Sequence, residues 1–376
     1  MTPPTSSARI RSLDGLRGWA ALIVLISHVM LTIPVFAEVV YNEVSPSDLS
    51  PVEYVLSYTP AHLLWAGHEA VFLFFVLSGI VLTMPALRFR DRSAWMRYYP
   101  RRIVRLYGPV VAAVLFGVLL VLLVPRVGAE GLGPWIDDRP ATLTPTGVAR
   151  DLLLVFGVSG VISPLWSLRW EVLFSLLLPL YVWAAVKWRK FAWAKLGLLT
   201  ALMIGGVLID SGYVFYLAMF AFGALAAVHL EDLRTAAARI NNITWVLVLG
   251  VGVLLTTARW TLEPLVRSEA LTVLPAFFGC AVLVFVAAFW PPAMRPLEHP
   301  VSQWLGKVSF SLYLTHEPIV IATTFIFGRQ VPPLVPAISI AVSLAAAWLF
   351  FRWIEAPTHS LSRRIGAKSR LGASSA

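Results

Sequence analysis

The stretch Arg11–His28, RSLDGLRGWAALIVLISH, decides how this chain is read. It begins charged and runs straight into an apolar segment long enough to enter a bilayer. Arg17 and His28 travel into that segment together, eleven residues apart. At about 100° per residue this is three turns and a little over, so both point to one helix face. Their separation along the axis is roughly 16 Å. A basic group at the mouth and an imidazole deeper on the same face line a path into the membrane.

Working outward, 58% of the 376 residues are hydrophobic and 13% are charged, against about 25% charged in soluble domains. That is too little polar surface to cover a soluble globule. The chain therefore reads as all-α, a polytopic helical bundle in a lipid bilayer. Ten stretches are apolar enough to span: 15–36, 62–85, 103–125, 166–186, 195–210, 212–230, 243–258, 271–290, 306–327 and 335–355. Placing the N-terminus in the cytoplasm returns the C-terminus there and puts most of the 30 Lys and Arg inside, as the positive-inside rule requires. The net charge of +10 is thus topological and does not call for nucleic acid. The segment 151–162, DLLLVFGVSGVI, is too short to span. Counting it would move the KWRK cluster at 187–190 outside. Residues 126–165, with Glu130, Asp137 and Asp138, are therefore read as an outer loop able to cover or shape a site. Residues 1–360 form the membrane domain, and 361–376 are expected to be a basic, disordered cytoplasmic tail. The expected location is the plasma (inner) membrane, multi-pass, with the oligomeric state left open. Cys280 is the one cysteine, which removes internal disulfides and thiol pairs. The histidines are too dispersed for a metal site.

Ionisable groups at membrane depth cost about 2.5–3.5 kcal/mol each on insertion scales, so they are functional candidates. His28 is either a neutral hydrogen-bonding side chain or a general base, since an imidazole suits removal of a hydroxyl proton near neutrality. Arg17 either pairs with Asp14, three residues before it, or meets an anionic ligand. Arg101, Arg102 and Arg105 of RRIVRLYGP open the third stretch. They are either a positive-inside anchor or a bidentate phosphate site. Ser167, Glu171 and Ser175 form a polar stripe beside Trp166 and Trp170, which suit an interfacial aromatic belt. Glu171 either pairs with Arg169 or an outer-loop arginine, or orients an imidazole or an acceptor hydroxyl. Ser309, Tyr313 and His316 share one face of the ninth stretch, with Glu317 beside them. Ser78 and Gly79 in FFVLSG allow close helix approach.

At these residues the sequence resembles membrane acyltransferase family three, the O-antigen acetylase type. Five ordered blocks carry the resemblance: RSLDGLRGWAALIVLISH (11–28), FFVLSG (74–79), RRIVRLYGP (101–109), LWSLRWEVLF (165–174) and SFSLYLTHEP (309–318). The resemblance implies transfer of an acyl group, acetyl above all, from acyl-CoA to a hydroxyl of a sugar, cell-envelope glycan or glycosylated small molecule. Many members carry an appended esterase-like domain, whereas this chain is expected to be a single membrane domain without it. It points to His28 as catalytic and Arg17 as needed, with the RRIVR arginines and Glu171 as positions of interest. On this reading His28 is the base, and Glu171 and His316 orient it or stabilise charge. Arg17, Arg101, Arg102 and Arg105 meet acyl-CoA, while Asp14, Trp166, Ser167, Tyr313 and Ser78 line the substrate path. The rival class is a transporter or flippase of a glycan or lipid-linked sugar, which would use the same helices and buried polar groups.

Overall fold

The computed structural model of the chain describes residues 10–127, 131–265 and 269–371. Of these described residues 82% are helical, and no strand forms among them. The principal helices are α1 (Arg11–Met30), α2 (Gly67–Ala86), α3 (Arg92–Leu123), α4 (Leu165–Val186), α5 (Ala192–Leu208), α6 (Gly212–Val228), α7 (Asn242–Thr256), α8 (Glu269–Phe289), α9 (Pro300–Phe327), α10 (Val335–Phe350) and α11 (Ala356–Leu371). Each apolar stretch carries one of α1–α10, so the chain is an all-α polytopic membrane bundle.

Ten spans were expected from the sequence. Among the described residues eight helices are long and apolar enough to cross a membrane. A ninth arises if α6 is joined to Leu230–Ala237 across a 72° bend. Helix α7 has 15 residues, about 22 Å at 1.5 Å per residue, short of the roughly 30 Å hydrocarbon core. Glu130 and residues 372–376 lie outside the described residues. Residues 361–371, expected as the start of a tail, instead continue helix α11.

The helices group into two compact units, with boundaries inside α1, α4 and α9. One unit comprises the described residues of Met1–Ala20, Tyr58–Arg88 and Leu177–Lys307. There α2 meets α6 backbone to backbone. A Cβ on Gly79 would lie 2.4 Å from Phe220 O, so the glycine of FFVLSG is a close-approach residue.

The other unit comprises the described residues of Ala21–Ser57, Phe89–Leu176 and Val308–Ala376. Helix α3 begins at Arg92, earlier than the expected 103. Asp91 Oδ1 accepts the Ala94 N–H at 2.7 Å, capping donors that would otherwise be orphaned, and Pro100 and Pro109 are accommodated within the helix. The RRIVR segment therefore lies well inside α3 instead of opening it. Helix α11 runs beside it, with Ser362 Oγ donating to Arg101 O at 3.0 Å. The 151–162 segment does not span. The helix Pro145–Leu153 stops at Leu154, whose φ is 61°. The chain then turns back so that Asp151 Oδ1 accepts the Ser159 N–H at 2.6 Å. Burial pushes the Asp151 carboxyl above the ordinary carboxylate range against these Ser159 bonds.

Candidate active site

Two helices place two imidazoles edge to edge. His28 Nδ1 lies 2.9 Å from Val24 O, one turn back on α1, and 3.1 Å from His316 Nε2. His316 Nδ1 lies 2.9 Å from Leu312 O, one turn back on α9. A carbonyl oxygen only accepts, so these neighbours assign a proton to Nδ1 of each ring. His316 Nε2 then accepts from the His28 Nδ1–H, which is shared with Val24 O. The same assignment leaves His28 Nε2 with its lone pair, and it takes no hydrogen bond among the described residues. His316 is fully buried, whereas His28 keeps part of its surface open.

Beside this pair sits a saturated carboxylate. Glu317 is fully buried. Its Oε1 receives Arg139 Nη1 at 3.1 Å and Ser163 Oγ at 2.5 Å, and its Oε2 receives the Ser163 backbone N–H. Arg139 also donates from Nε to Trp135 O at 3.1 Å and from Nη2 to Asp138 Oδ2 at 3.0 Å. Its guanidinium stands 5.1 Å from the centre of the Trp135 ring. The Trp135 ring faces His28 at 5.5 Å between centroids. A buried ion is tolerable only when its partners replace water, and Glu317 meets that condition with one cation and two further donors.

The structure sorts the expected site residues into three groups. His28 and His316 come together directly. Tyr313 stands next to them, its ring 6.1 Å from that of His316, and its hydroxyl pairs with Ser167 Oγ at 2.7 Å. Glu171 goes elsewhere: it binds Arg102 Nη2 and reaches neither imidazole, while Arg102 Nε donates to Ser175 Oγ at 3.0 Å. Two positions expected to serve base and donor thus hold each other. Arg101 retains a buried Nε with no hydrogen-bond partner among the described residues, Arg105 is exposed and Trp166 half-buried. In the other unit Arg17 Nη2 donates to Gly306 O at 2.9 Å, with Asp14 half-buried one turn earlier and Ser78 half-buried beside the α2–α6 contact. Trp135, Arg139 and Ser163 were not singled out in the sequence, because their meaning comes from Glu317, which is distant in the chain.

The comparisons decide the family. The family model described as an acyltransferase domain, of the acyltransferase-3 type, matches residues 10–352. The chain belongs to this acyltransferase family. It is similar to the acyltransferase MdmB of Streptomyces mycarofaciens, 25% identical over 344 residues, covering 83% of this chain and 79% of that one. It is also similar to the peptidoglycan O-acetyltransferase OatA of Listeria monocytogenes serovar 1/2a (strain ATCC BAA-679 / EGD-e), 25% identical over 336 residues. That match covers 78% of this chain and 52% of the relative, so the chain spans about half the length of OatA. No solved structure matches. The chain is thus a membrane acyltransferase, and the transporter alternative is set aside.

Proposed function

We propose that this acyltransferase works in the plasma membrane and moves an acetyl group from acetyl-CoA to a hydroxyl of a sugar, cell-envelope glycan or glycosylated small molecule. The observation that carries this reading is the lone pair on His28 Nε2, fixed by the carbonyl and imidazole that hold Nδ1. A thioester is already activated, so the catalyst chiefly needs a base for the hydroxyl and stabilisation of the oxyanion. The acceptor O–H gives its proton to Nε2 as its oxygen attacks the thioester carbonyl. The C–S bond then breaks, an ester C–O bond remains, and the departing thiolate takes the proton back from His28. A positioned base contributes typically about 10²–10⁴-fold.

The donor's phosphates suit arginine forks. Arg101 and Arg105 are the proposed contacts, with Arg102 held for the same purpose by Glu171 and Ser175. The Tyr313–Ser167 hydroxyl pair is proposed to meet the acceptor. The OatA relative is named for O-acetylation of peptidoglycan, which favours a glycan hydroxyl. The test is incubation of the purified chain in vesicles with labelled acetyl-CoA and a panel of envelope glycans and glycosylated metabolites. Acceptor-dependent thiol release with label appearing as an ester is expected. A folded, vesicle-inserted protein that releases no thiol with any hydroxyl acceptor sinks the proposal.

A further inference from the structure

The segment Gly133–Arg139 is tied down at both ends beside the imidazole pair. At its start Gly133 has φ +99°, and the position a Cβ would take lies 3.2 Å from Pro34. At its end Arg139 grips Glu317, Asp138 and the Trp135 carbonyl at once. Between them Trp135 and Ile136 are 3% and 1% exposed, with the Trp135 ring set against His28. One guanidinium therefore touches both walls of the pair: the indole against His28, and the carboxylate that follows His316.

We propose that Gly133–Arg139 is a strap that keeps water from His28, and that Arg139, locked to Glu317, is the residue that positions it. The proposal rests on the transfer reading above and gives it a selectivity. An unprotonated imidazole beside a thioester activates water as readily as a sugar hydroxyl. With water, the C–S bond breaks, the acyl carbon gains a hydroxyl, and free acid and thiol leave without any acceptor being modified. Excluding water from the reacting centre suppresses this loss. Trp135 covers one side of His28, and the remaining open surface admits the acceptor. Arg139 acts through Trp135 and Glu317 and is a positioning residue.

The experiment measures the ratio of free acetate to acylated acceptor formed from labelled acetyl-CoA by the full chain in vesicles. Replacing a buried ion pair by apolar side chains of similar size commonly preserves folding, so the decisive variant is the double change Arg139→Met with Glu317→Met. The acetate-to-ester ratio should rise about fivefold or more as the strap loosens and water enters. Arg139→Lys keeps the charge but loses the fork, and should raise the ratio less. A double variant that purifies as a single species with an unchanged ratio overturns the strap, even if its total turnover falls. If that variant does not fold, Trp135→Ala is read by the same ratio, with the same two outcomes. A wild-type protein that releases no thiol from acetyl-CoA overturns the transfer reading and the strap together, whereas normal transfer with unchanged ratios overturns the strap alone.

Discussion

In one unit His28, His316, Glu317 and Trp135 gather near the 131–163 loop; in the other His62, Glu69, Trp65 and Trp260 gather at the start of α2. The residue types match, but the partners do not. His62 is buried between two indoles, stacked on Trp260 and tilted against Trp65, each at 4.3 Å between centroids. It is packed by its ring faces, as a core aromatic is. His28 and His316 are held by their edges, nitrogen against carbonyl and nitrogen against nitrogen. The carboxylates differ in the same way. Among the described residues Glu69 accepts one bond, from Trp260 Nε1 at 3.2 Å, and its buried Oε2 has no hydrogen-bond partner. Glu317 accepts three, one of them from a cation. A buried histidine or glutamate at membrane depth is therefore not by itself a site. How its ring or carboxyl is held is what distinguishes the two clusters.

The largest expected effect separates the histidines. His28→Ala should lower transfer by about 10²–10⁴-fold, measured as thiol release in vesicles. His62→Phe, which keeps a ring in the indole stack, should leave transfer within a few-fold of wild type. Equal losses would erase the distinction between edge-held and face-packed imidazoles.

The carboxylates come next. Arg139→Ala leaves Glu317 buried without its cation and should cost about 3–5 kcal/mol of stability. Glu69→Gln keeps an acceptor for Trp260 and should cost about 1 kcal/mol or less. Unfolding in detergent compares the two, and a Glu69→Gln loss as large as that of Arg139→Ala would place both carboxylates in one class. Trp260→Phe removes the one donor to Glu69 among the described residues while keeping most of the stack, with an expected cost of about 1–3 kcal/mol for the acceptor left unsatisfied. A smaller value would mean that the Trp260–Glu69 bond adds little.

Asp151 gives the smallest effect and a third carboxylate to compare. Its folded-state affinity for a proton is raised by burial. The folded protein thus keeps that proton to a higher pH than the unfolded chain, and stability falls as pH rises through the window just above the ordinary carboxylate range. Asp151→Asn should flatten that part of the stability–pH curve. An unchanged slope would assign the dependence to another group.

Most of the architecture was legible from hydropathy, because lipid exposure forces backbone bonds inward and makes each apolar run a helix. What failed was length at the margins. Helix α7 is short, α6 is followed by a sharp bend, and α3 reaches back to Arg92 through a cap and two tolerated prolines. The failure at α3 carried into the site. With RRIVR read as a helix opening, Arg102 stood at the membrane surface. Inside a longer helix it reaches Glu171 instead. His28 and His316 were each visible as costly polar groups, but their contact depends on the register of two helices far apart in sequence, which no local pattern reports. Arg139 was less visible still: in a loop beside two aspartates it reads as solvated charge, and its meaning comes from Glu317.

The edge-to-edge imidazoles carry a kinetic signature. If His28 takes a proton on Nε2, as proposed above, its Nδ1–H becomes a stronger donor toward His316 Nε2, and that second hydrogen shifts with the first. Charge gained from the acceptor is then spread over two rings, one of them fully enclosed. On that proposal two hydrogens rather than one change their bonding in the step that activates the hydroxyl. In mixtures of light and heavy water, the rate should follow a curved, quadratic dependence on deuterium content, and replacing His316 should straighten it.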